Sequence, residues 1–569
     1  MSLSLEHGRV VETPEVRPSG AAILSVALAA ALVTVAWRVL TFSGFNNDHY
    51  VYLAGAQAML LGGWPVRDFV DPGWPLMYVV PAAARAIFGR ALGVELMVVS
   101  AAFAIGAAFT FATASRLSKS LVVATIVTLF EIAISPRSFG YPKIALYAVA
   151  AWMFVAWADH LTTRRIVMLA GLTVVAFLFR HDHGLYIGAG SLALVVLASW
   201  QGGLYVLASR VGVFVGALVV LLLPWALYVQ YYVGLVAYFQ PGLEFSRAEA
   251  AATALRALPR LDFSGPLLGQ TNLEVWLFYL FETIPLACLA VVLFRSQRGP
   301  HRWSAESAAV TAMSVMAIAM NLGFIRTPLA ARLPDAVVPA AVLGSWLLGL
   351  AWARRARWSL QAWAISIVVL ISSAWAVVVV ADVRNELNTA GILNRRGAIW
   401  ERIAELRVQL SKLMPEPNQL PSRNSQALIP FYAYVDRCSA PTDRLLMTGL
   451  SPDVFVLANR GFAGGQMAFR PSFYTSPTDQ QRALTRLRAQ SVPFVIVALD
   501  EEADFLRALP AIASYVDEHY DKLALVPVPD TRGLQLYVER GRRPAGVDND
   551  TGWPCFVAEG TEVPPSPPH

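Results

Sequence analysis

A compact group of polar residues, Asn-Asn-Asp-His-Tyr at 46–50, directly follows the first long apolar stretch of the chain. A carboxylate among polar and aromatic groups at a membrane surface can act as a general base, so Asp48 is the predicted catalytic residue. Its neighbour His49 is a candidate substrate or metal contact. The alternative for Asp48 is structural, because an aspartate that precedes an apolar helix can cap the N–H groups of the first turn.

Two further acidic residues follow in a turn rich in glycine, tryptophan and proline. Asp68 and Asp71 are candidate substrate or metal contacts, and the alternative is that they only stabilise the turn, where aspartate is common. A third polar group, 180–183, contains Arg180, His181, Asp182 and His183 between two apolar stretches. Four consecutive titratable residues are costly to hold near a bilayer unless they face water, a ligand or each other. They are candidate substrate or metal contacts, with a solvated turn as the alternative.

Cationic residues form the remaining candidate site. Arg137 and Lys143 lie in one connector, and Arg326 and Arg332 lie in another together with Asp335, a further substrate or metal candidate. The guanidinium group is well suited to phosphate because it donates two parallel hydrogen bonds. The four cations are therefore predicted to bind the phosphate of a donor substrate, with binding of lipid headgroups as the alternative.

The elements that must hold these residues are membrane helices. The chain has 569 residues, of which 56% are hydrophobic and only 15% charged, whereas soluble proteins carry roughly 25% charged residues. A bilayer core takes about 20 apolar residues per helix. The pattern predicts a polytopic α-helical membrane protein with about eleven spans in residues 21–381. They fall near 21–42, 92–115, 120–135, 143–159, 165–179, 184–200, 204–231, 275–294, 304–322, 336–352 and 357–381.

Basic connectors orient these spans. The short connectors at 116–119, 164–165, 295–302 and 354–357 fall on one side, which the positive-inside rule makes cytoplasmic together with the tail 1–20. The polar groups, including the first loop 43–91, then face the periplasm or the exterior. Segment 74–90 is predicted to lie at or dip into the outer interface; the alternative is a twelfth span, which would place the basic connectors on different sides. Because topology accounts for the net charge of +6, we expect the lipid bilayer as a partner and no nucleic acid.

The chain ends in a different composition. Residues 382–430 are predicted to form a helix and a linker, and residues 431–569 a small soluble α/β domain on the outer side. Apparent strands at 444–448, 494–499, 523–528 and 534–538 alternate with apparent helices at 478–490 and 501–519. Cys438 and Cys555 bracket the domain, and in an oxidising compartment they would form a disulfide; the alternative is two unpaired thiols.

The first loop resembles that of the GT-C superfamily of integral membrane glycosyltransferases, in particular the bacterial protein-mannosyltransferase-like and aminoarabinose-transferase-like group. The matching residues are Asp48, Tyr50, Tyr52 and Ala54, followed by the segments at 63–69 and 71–76. The resemblance implies a polyprenyl-phosphate sugar donor, inversion at the anomeric carbon and a catalytic carboxylate at Asp48. Family members often pair two acidic residues there, whereas this chain has one between Asn47 and His49. Any cofactor would be a divalent cation, Mg²⁺ or Mn²⁺.

Together these features predict a multi-pass inner-membrane glycosyltransferase that moves a sugar from a polyprenyl-phosphate donor to a glycan, lipid or protein acceptor on the periplasmic side. The alternative is a transporter or flippase of a lipid-linked sugar. Transporters tend to bind substrate at mid-membrane on broken helices, whereas the polar groups here lie at the ends of the spans. A third hypothesis is an assembly protein whose soluble domain does the binding.

Overall fold

A computed structural model of the protein describes residues 19–134, 136–253, 258–296, 303–326, 330–353, 360–395, 397–413, 423–471 and 474–557. Within these ranges the first part of the chain is helical, and every strand lies between residues 444 and 555. The predicted division into a helical membrane part and a C-terminal α/β domain is therefore confirmed. Most of the predicted tail 1–20 and part of the predicted helix and linker at 382–430 lie outside the described residues.

Each predicted span corresponds to a helix, and several of these helices begin at a side-chain cap. Ser19, Ser120 and Thr162 each accept a hydrogen bond from the N–H group three residues later, which satisfies one of the unpaired donors at a helix start. The helices of the membrane part are α1 (Gly20–Leu40), α2 (Asn47–Leu60), α3 (Leu76–Phe88), α4 (Leu92–Ser118), α5 (Leu121–Ala133), α6 (Tyr141–Trp157), α7 (Thr163–Phe179), α8 (His181–Ser199), α9 (Gly203–Tyr232), α10 (Leu235–Thr253), α11 (Gln270–Ser296), α12 (Ala305–Arg326), α13 (Val337–Ala353) and α14 (Leu360–Val380), with short 3-10 helices at Ser138–Gly140, Trp200–Gly202 and Ala330–Ala336.

The number of spans differs from the expectation. Among the described residues, seven helical runs are long and apolar enough to cross a membrane, and an eighth is reached if Ile367–Val380 and Val383–Thr389, bent by 48°, form one span. The predicted count of about eleven is not confirmed. One run, His181–Tyr232, joins α8 and α9, while α5 has 13 residues and α7 has 17, fewer than the ~20 that a span requires.

Segment 74–90 contains helix α3 (Leu76–Phe88). The helix has 13 residues, so at 1.5 Å per residue it is roughly 20 Å long and shorter than a bilayer core of about 30 Å.

Close helix contacts elsewhere depend on glycine. A Cβ on Gly106 would lie 2.8 Å from Ile144, and one on Gly190 would lie 2.9 Å from the Ala312 carbonyl oxygen. Small residues at these crossings let α4 approach α6 and α8 approach α12.

The C-terminal domain contains a five-stranded sheet in the order β2 (Gly461–Phe462), β1 (Arg444–Met447), β3 (Phe494–Ala498), β5 (Leu534–Glu539) and β4 (Tyr520–Val526). Strands β1, β2 and β3 are parallel, and β5 and β4 are antiparallel to their neighbours. The predicted strands are present, although the third begins earlier, at Tyr520, and the predicted helix 501–519 is two helices that meet at Pro510. The elements are α15 (Val383–Thr389), α16 (Ala398–Leu410), α17 (Arg423–Cys438), β1 (Arg444–Met447), α18 (Asp453–Leu457), β2 (Gly461–Phe462), α19 (Pro477–Arg488), β3 (Phe494–Ala498), α20 (Glu502–Ala508), α21 (Pro510–His519), β4 (Tyr520–Val526), β5 (Leu534–Glu539), β6 (Gly546–Val547) and β7 (Pro554–Cys555).

The C-terminal domain is docked on the first loop. The Asn47 side chain donates to the Leu450 carbonyl oxygen at 2.9 Å, at the start of α2. The Val70 N–H group donates to the Gly465 carbonyl oxygen at 2.9 Å, and the Arg486 guanidinium donates to the Arg67 carbonyl oxygen at 3.0 Å. The start of α2, which carries Asp48, is therefore held by both parts of the molecule.

Cys438 and Cys555, 117 residues apart, form a disulfide that ties α17 to β7. Replacing both with serine is expected to lower the free energy of unfolding of this domain by about 2–4 kcal/mol, because the unfolded chain regains the entropy that the closed loop removes. The measurement is thermal unfolding of the full chain in detergent, without reductant. Cys288→Ser, at the buried cysteine of α11, is the control for a lost thiol. Unfolding of the double variant at the wild-type temperature would show that the cross-link contributes nothing.

Candidate functional site

Asp48 occupies the first turn of α2 with its carboxylate half-exposed. The N-cap of this helix is Asn46, whose side chain accepts from the His49 N–H group at 3.0 Å. The capping alternative for Asp48 is therefore wrong, since Asn46 already performs that role. The Asp48 carboxylate instead faces Arg137, with 3.7 Å between Oδ2 and Nη1. The side chains are 54% and 45% exposed, so both can reach a ligand.

The junction of α7 and α8 supplies a second charged pair. Arg180 Nη2 lies 3.0 Å from Asp182 Oδ2, and each side chain is about one third exposed. This carboxylate raises the pKa of Arg180, which stays cationic. The other oxygen of Asp182 accepts from the His183 N–H group at 2.9 Å, and the His183 ring is hydrogen-bonded to the Tyr147 hydroxyl at 3.0 Å. His183 and Tyr147 thus support the pair from the buried side.

Beneath these pairs lies a buried one, between Lys143 of α6 and Asp335 of the 3-10 helix Ala330–Ala336. The lysine Nζ donates a hydrogen bond to the aspartate Oδ2, and both side chains are close to nine-tenths buried. Phe139 lies between the two cations, with its ring centre 6.0 Å from Lys143 Nζ and 5.8 Å from the Arg137 guanidinium. This aromatic contact gives both cations a second stabilising partner.

Tyr52 lies near charged members of all three pairs. It lies one turn after Asp48 on the same face of α2, and its hydroxyl interacts electrostatically with Arg180, Asp48, Asp182 and Asp335. Burial raises the pKa of Tyr52 to about 12, so the group is a neutral hydroxyl at physiological pH. We call the three pairs and Tyr52 the charged cluster. Sequence reasoning assigned no role to Tyr52 or Tyr147; the spacing of four residues from Asp48 was the available signal for Tyr52.

Two of the candidate site residues, His49 and Asp68, lie outside the charged cluster and have structural contacts. His49 is fully buried: its Nε2 is 2.8 Å from Glu95 Oε1 on α4, and its ring stacks on Phe45 with 4.3 Å between the ring centres. It joins α2 to α4 and presents no surface to a substrate. Asp68 binds Arg67 at 2.7 Å and accepts from the Trp64 N–H group at 2.7 Å, contacts that shape the turn.

Asp71 and His181 form a separate group with Tyr238. The buried Asp71 carboxylate accepts from the Gly73 and Trp74 N–H groups at 3.0 and 2.9 Å, and from the Tyr238 hydroxyl at 2.8 Å. Burial raises the pKa of Asp71, while these hydrogen bonds oppose the shift. The Tyr238 hydroxyl also lies 3.2 Å from His181 Nε2. Tyr238 belongs to α10.

Gly73 lets the first loop pass against His181. Its φ of +111° disfavours any side chain, and a Cβ there would lie 2.6 Å from the His181 ring. Gly73→Ala is expected to destabilise the protein by about 1–3 kcal/mol and to reduce its activity. Gly89→Ala is the matched control, since Gly89 has φ +93° and no atom within 4 Å of a Cβ. Equal losses in thermal unfolding would show that backbone strain alone matters, without the His181 contact.

The other two predicted phosphate-binding cations, Arg326 and Arg332, belong to α12 and to the 3-10 helix Ala330–Ala336. The Arg326 side chain falls outside the described residues, and the Arg332 side chain is partly buried in the 3-10 helix that carries Asp335. Among the described residues no three His, Cys, Asp or Glu side chains converge as metal ligands. Asp182 and Asp335 are each paired with a cation, so a divalent cation would have to compete with Arg180 and Lys143 for these two carboxylates.

Two solved structures of ArnT from Cupriavidus metallidurans are similar to this chain. The structure of ArnT bound to undecaprenyl phosphate is 14% identical with a TM-score of 0.51, and the match covers 91% of this chain and 98% of that chain. The apo structure matches with the same identity and coverage and a TM-score of 0.48. No family model and no curated protein sequence matches the chain. ArnT belongs to the GT-C family, so the GT-C-like fold anticipated from the first loop is confirmed at the level of architecture.

Proposed function

We propose that this multi-pass membrane protein transfers a sugar from a polyprenyl-phosphate donor to a hydroxyl group of an acceptor, at the periplasmic face of the inner membrane and with inversion. The observation that carries the proposal is the charged cluster. It combines the half-exposed Asp48 carboxylate with three cations, Arg137, Lys143 and Arg180. A fold shared with ArnT, solved with undecaprenyl phosphate bound, supports a lipid-linked donor.

In the proposed reaction Asp48 is the general base. Its carboxylate removes the proton from the acceptor hydroxyl as that oxygen attacks the anomeric carbon of the donor. The new bond forms on one face of the sugar while the bond from the anomeric carbon to the phosphate oxygen breaks on the other. The products are the glycosylated acceptor, polyprenyl phosphate and a proton that Asp48 releases to solvent.

The cations stabilise the leaving phosphate in this proposal. The Arg137 and Arg180 side chains are 45% and 38% exposed, which leaves N–H groups available to a ligand beyond those bound to Asp48 and Asp182. Preorganised charges lower the barrier most when they face the atoms on which charge develops. Lys143 is buried against Asp335, so in this proposal its charge attracts the phosphate at longer range than the two arginines do.

The test is donor cleavage by the purified full chain in detergent, with undecaprenyl-phosphate-linked sugars as donors and thin-layer chromatography of the lipid products. We expect release of undecaprenyl phosphate together with transfer of the sugar. An assay of the same protein in sealed vesicles distinguishes a transferase from a flippase. Movement of the intact lipid-linked sugar across the bilayer without cleavage would refute a transferase and favour a flippase.

Arg180→Gln gives a sharper test of the phosphate role. Losing one charged hydrogen-bond donor is expected to lower kcat/KM for the lipid donor about 10–100-fold, because charge-assisted bonds contribute about 1.5–3 kcal/mol. Arg164→Gln, at the opposite end of α7, is the control and is expected to retain wild-type kinetics. If both variants show the same kcat/KM, Arg180 does not contact the phosphate.

A further inference from the structure

Helix α16 lies across the ends of two candidate membrane spans. In its second turn, Arg402 donates from Nε to the Leu40 carbonyl oxygen at 3.2 Å and from Nη2 to the Phe42 carbonyl oxygen. Leu40 is the last residue of α1, and the final carbonyl groups of a helix have no partner within it. Just beyond α16, the Leu92 N–H group, at the start of α4, donates to the Lys412 carbonyl oxygen at 3.1 Å. The helix is therefore fixed at the level where α1 ends and α4 begins.

The side chains of α16 fall into three strips, because successive residues of a helix point about 100° apart. One strip packs against the protein and consists of buried and half-buried side chains, those of Arg402, Leu406, Gln409 and Leu410. A second strip is apolar: Trp400, at its centre, is 74% exposed, and Ile403 and Val408 are exposed on either side. The third strip carries Glu401 and Glu405, both exposed. A helix with three kinds of surface suits three kinds of neighbour, and the protein is one of them.

One charged residue interrupts the apolar strip. Arg407 lies about 20° from Trp400 around the helix, and its side chain is exposed. At a membrane surface, an arginine lays its apolar stem along the lipid and keeps its guanidinium among the headgroups. Tryptophan is likewise enriched where lipid meets water. Trp400 and Arg407 side by side are therefore typical of a helix at that boundary.

The apolar strip continues a surface that faces lipid. Helix α1, to which α16 is hydrogen-bonded, is a candidate span with exposed apolar side chains at Leu24, Leu28 and Leu32. In a multi-pass membrane protein these leucines face acyl chains. The turn that leads into α16 adds Ile392 and Leu393, which are also exposed. Because α16 is held at the end of α1, the bilayer that surrounds α1 extends to the apolar strip.

We propose that α16 is an interfacial helix, which lies in the plane of the bilayer surface and inserts its apolar strip among the lipid headgroups. Its partner is the lipid leaflet on the side of the molecule that carries the C-terminal domain, and the acidic strip faces water. Helices of this kind bury their apolar face about 5–10 Å into the boundary between headgroups and acyl chains. Since α16 connects the membrane part to the C-terminal domain, this contact holds the domain at the membrane surface.

The test measures the depth of spin labels on α16 by electron paramagnetic resonance, in nanodiscs of phosphatidylethanolamine and phosphatidylglycerol. The full chain has three cysteines, two of which form the disulfide, so Cys288→Ser provides a background without a free thiol. Trp400→Cys and Val408→Cys place a label in the apolar strip, and Glu401→Cys places the control label in the acidic strip. Collisions with oxygen report lipid around the label, and collisions with a water-soluble nickel chelate report water.

We expect the labels at Trp400→Cys and Val408→Cys to lie about 5–10 Å below the lipid phosphates. The label at Glu401→Cys, one residue from the first, is expected to lie in water. Thermal unfolding in the same nanodiscs confirms that each labelled protein is folded. Both apolar positions are exposed, so a label fits without repacking, and Val408→Cys decides the question alone if Trp400→Cys does not fold.

Two results would overturn the proposal. Equal access of the nickel chelate to all three labels would place the apolar strip in water. Labels in the apolar strip that neither oxygen nor nickel reaches would show that protein covers it, and magnetic broadening between labels would identify that protein as a second copy of this chain. The proposal is independent of sugar transfer: a protein that cleaves no lipid-linked donor can still insert α16, and a transferase can be active without this contact.

Discussion

Asp48→Asn is expected to lower kcat for sugar transfer about 10²–10⁴-fold, the range in which general base catalysis contributes. The amide keeps the size of the carboxylate but cannot accept the proton. Little structural cost is expected, because the side chain is half-exposed and its ion pair with Arg137 is long at 3.7 Å. The thermal unfolding temperature should therefore stay at the wild-type value, while KM for the lipid donor changes much less than kcat.

The matched control for Asp48→Asn is Asp68→Asn in the same loop. Asp68 is also an exposed acid paired with an arginine, Arg67, at 2.7 Å. Asp68 lies outside the charged cluster, so the Asp68→Asn variant should transfer sugar at close to the wild-type rate. Measurement of kcat and KM for both variants with one donor separates a general effect of loop charge from a role in the reaction. Full activity of Asp48→Asn in a folded protein would remove Asp48 from the mechanism.

Lys143→Met is expected to destabilise the protein by about 3–5 kcal/mol, because Asp335 is left buried with no cation beside it. Both residues lie near the ends of candidate spans, Ser138–Trp157 and Arg332–Trp352, where an uncompensated charge is especially costly. Thermal unfolding in detergent measures the effect. Arg395→Gln, which breaks the exposed Arg395–Glu401 pair, is the control and should cost about 0–1 kcal/mol.

A double variant separates stability from function at this pair. Lys143→Met combined with Asp335→Leu removes both charges at similar volume, and replacing a buried pair in this way is often neutral or stabilising. We expect the double variant to recover most of the lost stability but not the activity, since the lysine charge behind the phosphate is still missing. A fully active double variant would show that the pair is structural and that Lys143 has no part in phosphate binding.

The charged cluster shows which features of a functional site the sequence predicts and which it does not. Asp48, Arg137, Lys143, Arg180 and Asp182 stand out because the apolar stretches around them exclude charge. The sequence does not pair them. Lys143 and Asp335 are 192 residues apart, and no local pattern indicates that α6 and the 3-10 helix Ala330–Ala336 bring them together.

The same limit applies to the candidates that lie elsewhere. Asp48 and His49 are adjacent in the sequence, yet one is half-exposed and the other is fully buried against Glu95. Successive residues of a helix point about 100° apart, so the packing of α2 on α4 decides which of them reaches a ligand. Asp71 and Tyr238 share a hydrogen bond although they are 167 residues apart, and no local pattern pairs them.

By itself, the sequence determined the membrane class, the helical identity of each apolar stretch, the C-terminal α/β domain and the position of Asp48 after α1. These features follow from local properties: hydropathy over a window of residues, caps at helix starts and alternation along strands. Only the tertiary structure decided which charges pair, which acids remain accessible and where the two parts of the molecule meet. Those outcomes depend on contacts between residues hundreds of positions apart, whose energies appear only when the helices pack.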